Sequence, residues 1–228
     1  MYVNIDNVSK TIRRKTVLNA VSAQFERGKV YGILGPNGSG KTMLLRTLCG
    51  FIKPTSGSIT INGTPVTFNH KLPENIGIII ETPGFAPSRS AMDNLRYLAD
   101  INHAFDSAEV ERLMRLFDLW DHRNDKVKSY SLGMRQKLAI VQAFMEHQRL
   151  VLLDEPTNGL DWRSVEQFMK EVNYQREQGH TIIIASHHND ELGGIVDAAL
   201  LMRNGVIERQ VAPDEIASLS LDRDRAGR

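Results

Sequence analysis

The residues Gly35-Pro36-Asn37-Gly38-Ser39-Gly40-Lys41-Thr42 carry the most specific chemistry in this chain. They fit the pattern G-x-x-x-x-G-K-[ST], in which glycines let the backbone curl so that successive N–H groups point at phosphate oxygens. A helix starting near Lys41 adds its positive end to the same cradle. Lys41 supplies a mobile cation for the β- and γ-phosphates, and the Thr42 hydroxyl is placed to ligate Mg²⁺. Far along the chain, the apolar run 150–153 ends in Asp154-Glu155. The pair suits the same chemistry: Asp154 holds Mg²⁺, directly or through water, and Glu155 polarises a water for attack on the γ-phosphate.

These groups have to be delivered to one place, and the hydrophobic pattern says how. Short, near-continuous apolar runs at Val30–Leu34, Ile76–Ile80, Leu150–Leu153, Thr181–Ala185 and Ala199–Met202 read as strands buried on both faces. Such strands belong to a mostly parallel sheet covered by helices, with ligands at its carboxyl edge. Alternating apolarity over Tyr2–Val8 and Val17–Phe25 reads as strands with one wet face. Asn62-Gly63 and Asn204-Gly205 mark hairpins, so an antiparallel layer is predicted beside the parallel sheet. From Pro87 to Arg149 the period becomes helical: Leu95, Leu98 and Ala99 share a face, as do Val110, Leu113, Met114 and Phe117, and later Leu138, Val141, Gln142 and Met145. The expected fold class is α/β: a P-loop NTPase core, mostly a parallel sheet between helices, with an antiparallel β layer and an inserted helical subdomain. The core is expected over 1–86 and 150–210, the helical insert over 87–149 and a short C-terminal tail over 211–228, of which Asp222–Arg228 is charged and apolar-poor.

Composition narrows the class of function. The chain has 228 residues, 41% hydrophobic and 24% charged, enough to bury a core. Its 28 Lys and Arg nearly balance 27 Asp and Glu, which argues against a protein whose main task is binding nucleic acid. A lone Cys49 excludes an internal disulfide and is read as a small core residue. No apolar run approaches the ~18 residues of a spanning helix, and no signal segment follows Met1, so a soluble cytoplasmic domain is expected.

Taken together, these residues resemble the ATPase subunit of ABC transporters, with the match running from about Tyr2 to Gln210. Asp154-Glu155-Pro156-Thr157-Asn158-Gly159-Leu160-Asp161 is similar to that family's acidic strand end running into its following loop. Ser186-His187 is similar to its switch histidine, and the resemblance implies that the neutral His187 ring contacts the γ-phosphate. His188, like His70, His103, His122, His147 and His180, is read as structural. Tyr130-Ser131-Leu132-Gly133-Met134-Arg135-Gln136 occupies the place of the family signature, with Ser131 and Gly133 retained and Leu132 and Met134 replacing a glycine and a glutamine. Ser131 is positioned to N-cap the helix through Leu138 and Val141. The resemblance implies that Ser131 and Gly133 face the γ-phosphate held by a second chain, so that ATP is sandwiched between two subunits.

Two positions depart from the family pattern. Ile12 stands where an adenine-stacking aromatic is usual, and Arg13 and Arg14 beside it read as solvated charges. Weak or promiscuous base recognition is therefore expected. Glu81 stands where the family has a glutamine after the strand Ile76–Ile80, and is expected near Mg²⁺ and in coupling to the helical insert. The surrounding Ile80–Phe85 and Met92–Leu95 resemble the bacitracin-resistance and lantibiotic-immunity exporters. The implied partners are a membrane permease and a second ATPase subunit, in a homodimer or heterodimer, at the inner face of the cell membrane. A soluble ABC ATPase with an assembly or regulatory role is the alternative. A nucleotide kinase on the same phosphate loop does not account for the run Asp154–Asp161 or for His187.

Overall fold

The computed structural model describes residues 1–68, 72–80, 84–187, 192–216 and 219. Glu81, His70, His188 and the tail Asp222–Arg228 lie outside the described residues.

Two sheets share the work of positioning the site. The first has the order β2-β1-β4-β5, with β1 (Val3–Ile12), β2 (Lys15–Phe25), β4 (Ser56–Ile61) and β5 (Thr64–Pro65). β1 pairs antiparallel with both β2 and β4. Arg13 and Arg14, both at positive φ (45° and 69°), make the tight turn into β2, the handedness a two-residue hairpin requires. Asn62 and Gly63 (49° and 77°) do the same between β4 and β5.

The second sheet has the order β10-β9-β3-β8-β7-β6, from β3 (Val30–Leu34), β6 (Ile76–Ile79), β7 (Leu150–Asp154), β8 (Thr181–Ser186), β9 (Ala198–Arg203) and β10 (Val206–Val211). All neighbours are parallel except the β9–β10 hairpin. Its central strands explain their unbroken apolar sequence. On β3, Val30 and Leu34 enter one core cluster while Tyr31 and Ile33 enter the other. On β8, Ile182 and Ile184 face the first and Ile183 and Ala185 the second; β7 splits Val151 and Leu153 from Leu150 and Leu152 in the same way. Each strand thus spends its period of two on two cores, which is why apolar residues fill its central positions without a break.

Helices cover the faces. α1 (Lys41–Leu48) buries Leu44, Leu45 and Leu48 in the core between the sheets. Between β6 and β7 run α2 (Ala91–Asp100), α3 (Ser107–Leu116) and α4 (Leu132–Phe144); α5 (Trp162–Glu177) follows β7 and a short α6 (Pro213–Ile216) follows β10. α2 is N-capped by Ser90, α3 by Asp106 and α5 by Asp161, each side chain accepting a first-turn N–H. Val110, Leu113, Met114 and Phe117 are all fully buried, the face their spacing predicts. Val211 and Ile216 are fully buried as well, packed on the core beneath the parallel sheet. The fold is that of a P-loop NTPase, as expected.

Candidate functional site

The phosphate loop leaves β3 and turns into α1. Gly35 is squeezed: a Cβ there would collide with the Met202 carbonyl oxygen and stand 2.8 Å from Ser39 Oγ. Gly38 and Gly40 take φ of 80° and 110°, the left-handed region that glycine occupies without strain. α1 starts with Gly40 as N-cap, with no side chain capping its free N–H groups and no acid in its first turn. Its positive end is therefore open to an anion.

Lys41 is 5% exposed, and its Nζ donates to the carbonyl oxygens of Gly35 (2.6 Å) and Pro36 (3.3 Å) while standing 3.6 Å from Glu155 Oε1. Burial pulls this ammonium below the ordinary lysine range, against the opposing pull of Glu155 and Asp154. Asp154 is displaced the other way: burial raises it, while the hydrogen bond from Thr42 Oγ1 to its Oδ2 (2.6 Å) holds it down. Each charge is thus desolvated and undercompensated by its present neighbours, an anion being wanted beside Lys41 and a cation beside Asp154. Two buried oxygens here, Ser39 Oγ and Asp154 Oδ1, make no hydrogen bond. A phosphate beside the first and a Mg²⁺ beside the second would satisfy both, and Thr42 with one carboxylate is the usual protein share of a Mg²⁺ shell completed by phosphate and water.

Glu155 is held at φ 48°, a left-handed conformation that a non-glycine residue adopts at a cost of about 1–3 kcal/mol. Its own N–H donates to Ala185 O (2.9 Å), continuing the β7–β8 ladder past the strand end. The turn carries the carboxylate between Lys41 and His187: His187 Nδ1 approaches Oε2 to 2.8 Å, and the His187 N–H donates to the same oxygen at 3.4 Å. The adjacent ends of β3, β7 and β8 thereby gather Lys41, Thr42, Asp154, Glu155 and His187 at one sheet edge. A triphosphate bound by the loop would meet a carboxylate and an imidazole at its far end, the constellation needed to orient a water in line.

An open cavity of about 470 Å³ runs along the loop from Asn37 to Thr42 and reaches Glu155. Its remaining walls are Lys15, Thr16, Val17, Met43, Asn204 and Gly205, none of them visible as site residues in the sequence. The Asn204-Gly205 turn is legible as a hairpin, but its approach to the loop, where Gly205 N–H donates to Ser39 O (2.8 Å), is a long-range contact with no local signal. Ile12, at the end of β1 and exposed, is not among the lining residues.

Ser131 and Gly133 lie elsewhere. Ser131 caps α4, its Oγ accepting from Met134 N–H (3.1 Å), as its position in the sequence leads one to expect. A Cβ on Gly133 would stand 3.2 Å from Gly159 O, and Gln136 Nε2 donates to Pro156 O (2.8 Å). The start of α4 is thus fastened to the loop between β7 and α5. Leu132 and Trp162, beside these contacts in the chain, are 64% and 75% exposed.

Comparison with known proteins agrees with this geometry. Residues 18–158 match the family model described as ABC transporter. The chain is similar to the uncharacterized ABC transporter ATP-binding protein YybJ of Bacillus subtilis (strain 168), 40% identical over 90% of this chain and 94% of that one. It is also similar to the bacitracin transport ATP-binding protein BcrA of Enterococcus faecalis, 34% identical over 94% of this chain and 70% of that one. Among solved structures, one described as the ATP binding subunit of an ABC transporter superposes with a TM-score of 0.86 at 26% identity, covering 97% of both chains.

Proposed function

This chain belongs to the ABC transporter family as one of its ATP-binding subunits, and from that premise we propose that it hydrolyses ATP to drive movement of a substrate through a separate membrane permease. The observation that carries the proposal is the convergence of Lys41, Thr42, Asp154, Glu155 and His187 at one sheet edge. The loop N–H groups and Lys41 bind the β- and γ-phosphates. Glu155 takes a proton from the water that attacks the γ-phosphorus while the bond to the bridging oxygen breaks. His187 holds the Glu155 carboxylate in place and lies beside the terminal phosphate. Mg²⁺, held by Thr42 and Asp154, neutralises charge on the phosphates when bound.

In this reading two ATPase subunits meet head to tail, and Ser131 and Gly133 of one close over the nucleotide on the other. The N-terminal end of α4, capped by Ser131, and the exposed Leu132 and Trp162 support that face as the covering surface. Whether the second subunit is a copy or a relative, ATP acts as glue between them and hydrolysis reopens the pair. The helical segment 87–149, together with Glu81 ahead of it in the sequence, passes the motion to the permease and keeps the subunit peripheral on the inner membrane face. Among the described residues no helix is long and apolar enough to cross a membrane, which fits a chain that borrows its pathway from a partner. Export of a peptide antibiotic, lipid or drug-like compound is the cargo class we favour, supported by the likeness to the bacitracin transport protein.

The test is affinity capture of tagged Glu155→Gln protein with MgATP from detergent-solubilised native membranes. Recovery of a membrane protein with several spans is the expected result. Recovery of soluble partners only, with the bait folded and ATP-bound, would instead favour an assembly or regulatory ATPase.

A further inference from the structure

The turn that aims Glu155 needs support on both sides of its strained dihedral. With φ at 48°, a residue that carries a side chain returns to ordinary backbone unless its surroundings fix it. On the upstream side, Glu155 N–H is held by Ala185 O on β8. On the downstream side, Asn158 N–H donates to Glu155 O (3.2 Å), but that bond lies within the turn and moves with it. A tie from the downstream backbone to a separate element comes from Gln136 on α4, whose Nε2 donates to Pro156 O at 2.8 Å. Pro156 is buried and has no N–H, so its carbonyl depends on a donor supplied from inside the protein.

The element that makes this tie is rigid. Gln136 stands three residues after Gly133, so the two share a face of α4. Gly133 lies against the same loop, where a Cβ would stand 3.2 Å from Gly159 O. One turn further on, α4 buries Leu138, Ile140, Val141 and Phe144 in the core. Without the Gln136 donor the turn relaxes, and the fraction of molecules that hold the carboxylate in place falls. The phosphate loop makes no use of this bond, so the loss falls on the rate and spares the affinity for ATP. We propose that Gln136 is a positioning residue for hydrolysis: by holding the Pro156 carbonyl it keeps the Glu155 carboxylate at the point where it orients the attacking water. The inference rests on the hydrolytic reading above and adds to it a residue that acts only through Glu155.

The experiment measures single-turnover phosphate release from MgATP, and ATP affinity by calorimetry, for the purified full chain and for Gln136→Met and Gln136→Leu. Both replacements are good helix formers that cannot donate, and Gln136 is only half-buried, so the comparison does not hang on one variant. Each should slow phosphate release about three- to tenfold, one neutral hydrogen bond read as a rate. ATP dissociation constants should stay within about twofold of native, the split expected when only the reacting geometry is lost. In a Glu155→Gln background the same replacements should slow release no further, because a residue that acts through Glu155 has nothing left to position. Release at the native rate by both variants would overturn the assignment of Gln136. So would slowing matched by an equal loss of ATP affinity, or the same fold-slowing in the Glu155→Gln background. ATP bound by the native chain with no phosphate released would overturn the hydrolytic reading itself, and the inference with it.

Discussion

His187 Nδ1 lies 2.8 Å from Glu155 Oε2, across the gap between the ends of β8 and β7, and Lys41 Nζ approaches the other oxygen of the same carboxylate to 3.6 Å. Glu155 is thus gripped from both sides in a backbone conformation that costs energy for any residue with a side chain. The strain is explicable if the carboxylate must stand at one point relative to a phosphate. Relieving the turn would return Glu155 to the strand direction, away from Lys41.

The tightness of the phosphate loop gives a first prediction. Gly35→Ala places a methyl group against the Met202 carbonyl oxygen and Ser39 Oγ, so either β9 or the loop must shift. Backbone overpacking of this kind costs about 1–3 kcal/mol, and nucleotide affinity, measured by titration calorimetry, should fall by roughly tenfold or more.

A second prediction concerns how α3 is held to α5. Arg112 donates two hydrogen bonds to Glu109 (2.7 and 2.8 Å) and two to Glu171 (2.7 and 2.8 Å), and its guanidinium lies 4.5 Å from the centre of the Tyr174 ring. Glu171 is fully buried and also accepts from Gln175. Arg112→Met strands that carboxylate; because Arg112 is itself 35% exposed, the loss belongs at the low side of the usual range, about 2–4 kcal/mol in urea unfolding. Arg112→Met combined with Glu171→Met should recover about half of it, since an apolar pair carries no desolvation penalty.

The same cluster has a pH signature. His180 meets Gln175 Oε1 through Nδ1 and is held below the ordinary histidine range, mainly by burial, with His147, Arg149 and Arg27 adding to it and Glu109 opposing. The unfolded chain therefore takes up this proton at a higher pH, near about 6.5, than the folded chain does. Between the two values the unfolded state binds more protons, so stability rises with pH. The contribution is present above about 6.5 and is lost as pH falls through the folded value. Urea midpoints should drop between pH 7.5 and pH 5.5, and His180→Gln should reduce that drop.

How far the sequence reveals all this depends on the range of the contacts. The parallel strands were legible because burial on both faces leaves an unbroken apolar run, as in Ile182–Ala185, and the Ser131 cap was legible because capping is local. The phosphate loop was legible because its glycines answer to a steric demand of their own backbone. The walls of the cavity were not: Lys15 and Asn204 come to the loop only through pairing across two sheets, and nothing near either residue marks it. The left-handed turn at Glu155 has no local signal either, since it is imposed by the ladder to Ala185 and by the partners of the carboxylate. Ile12, which stands at the aromatic position of the family pattern, sits exposed at a strand end outside the cavity wall.

The most direct test of the account is single-turnover release of inorganic phosphate from MgATP by the native chain and by Glu155→Gln, with ATP affinity measured alongside. The native chain should release phosphate, and Glu155→Gln should bind ATP comparably while hydrolysing it at least about 100-fold more slowly, the scale of a lost general base. Hydrolysis by Glu155→Gln at the native rate, or ATP bound by the native chain without any release of phosphate, would contradict it.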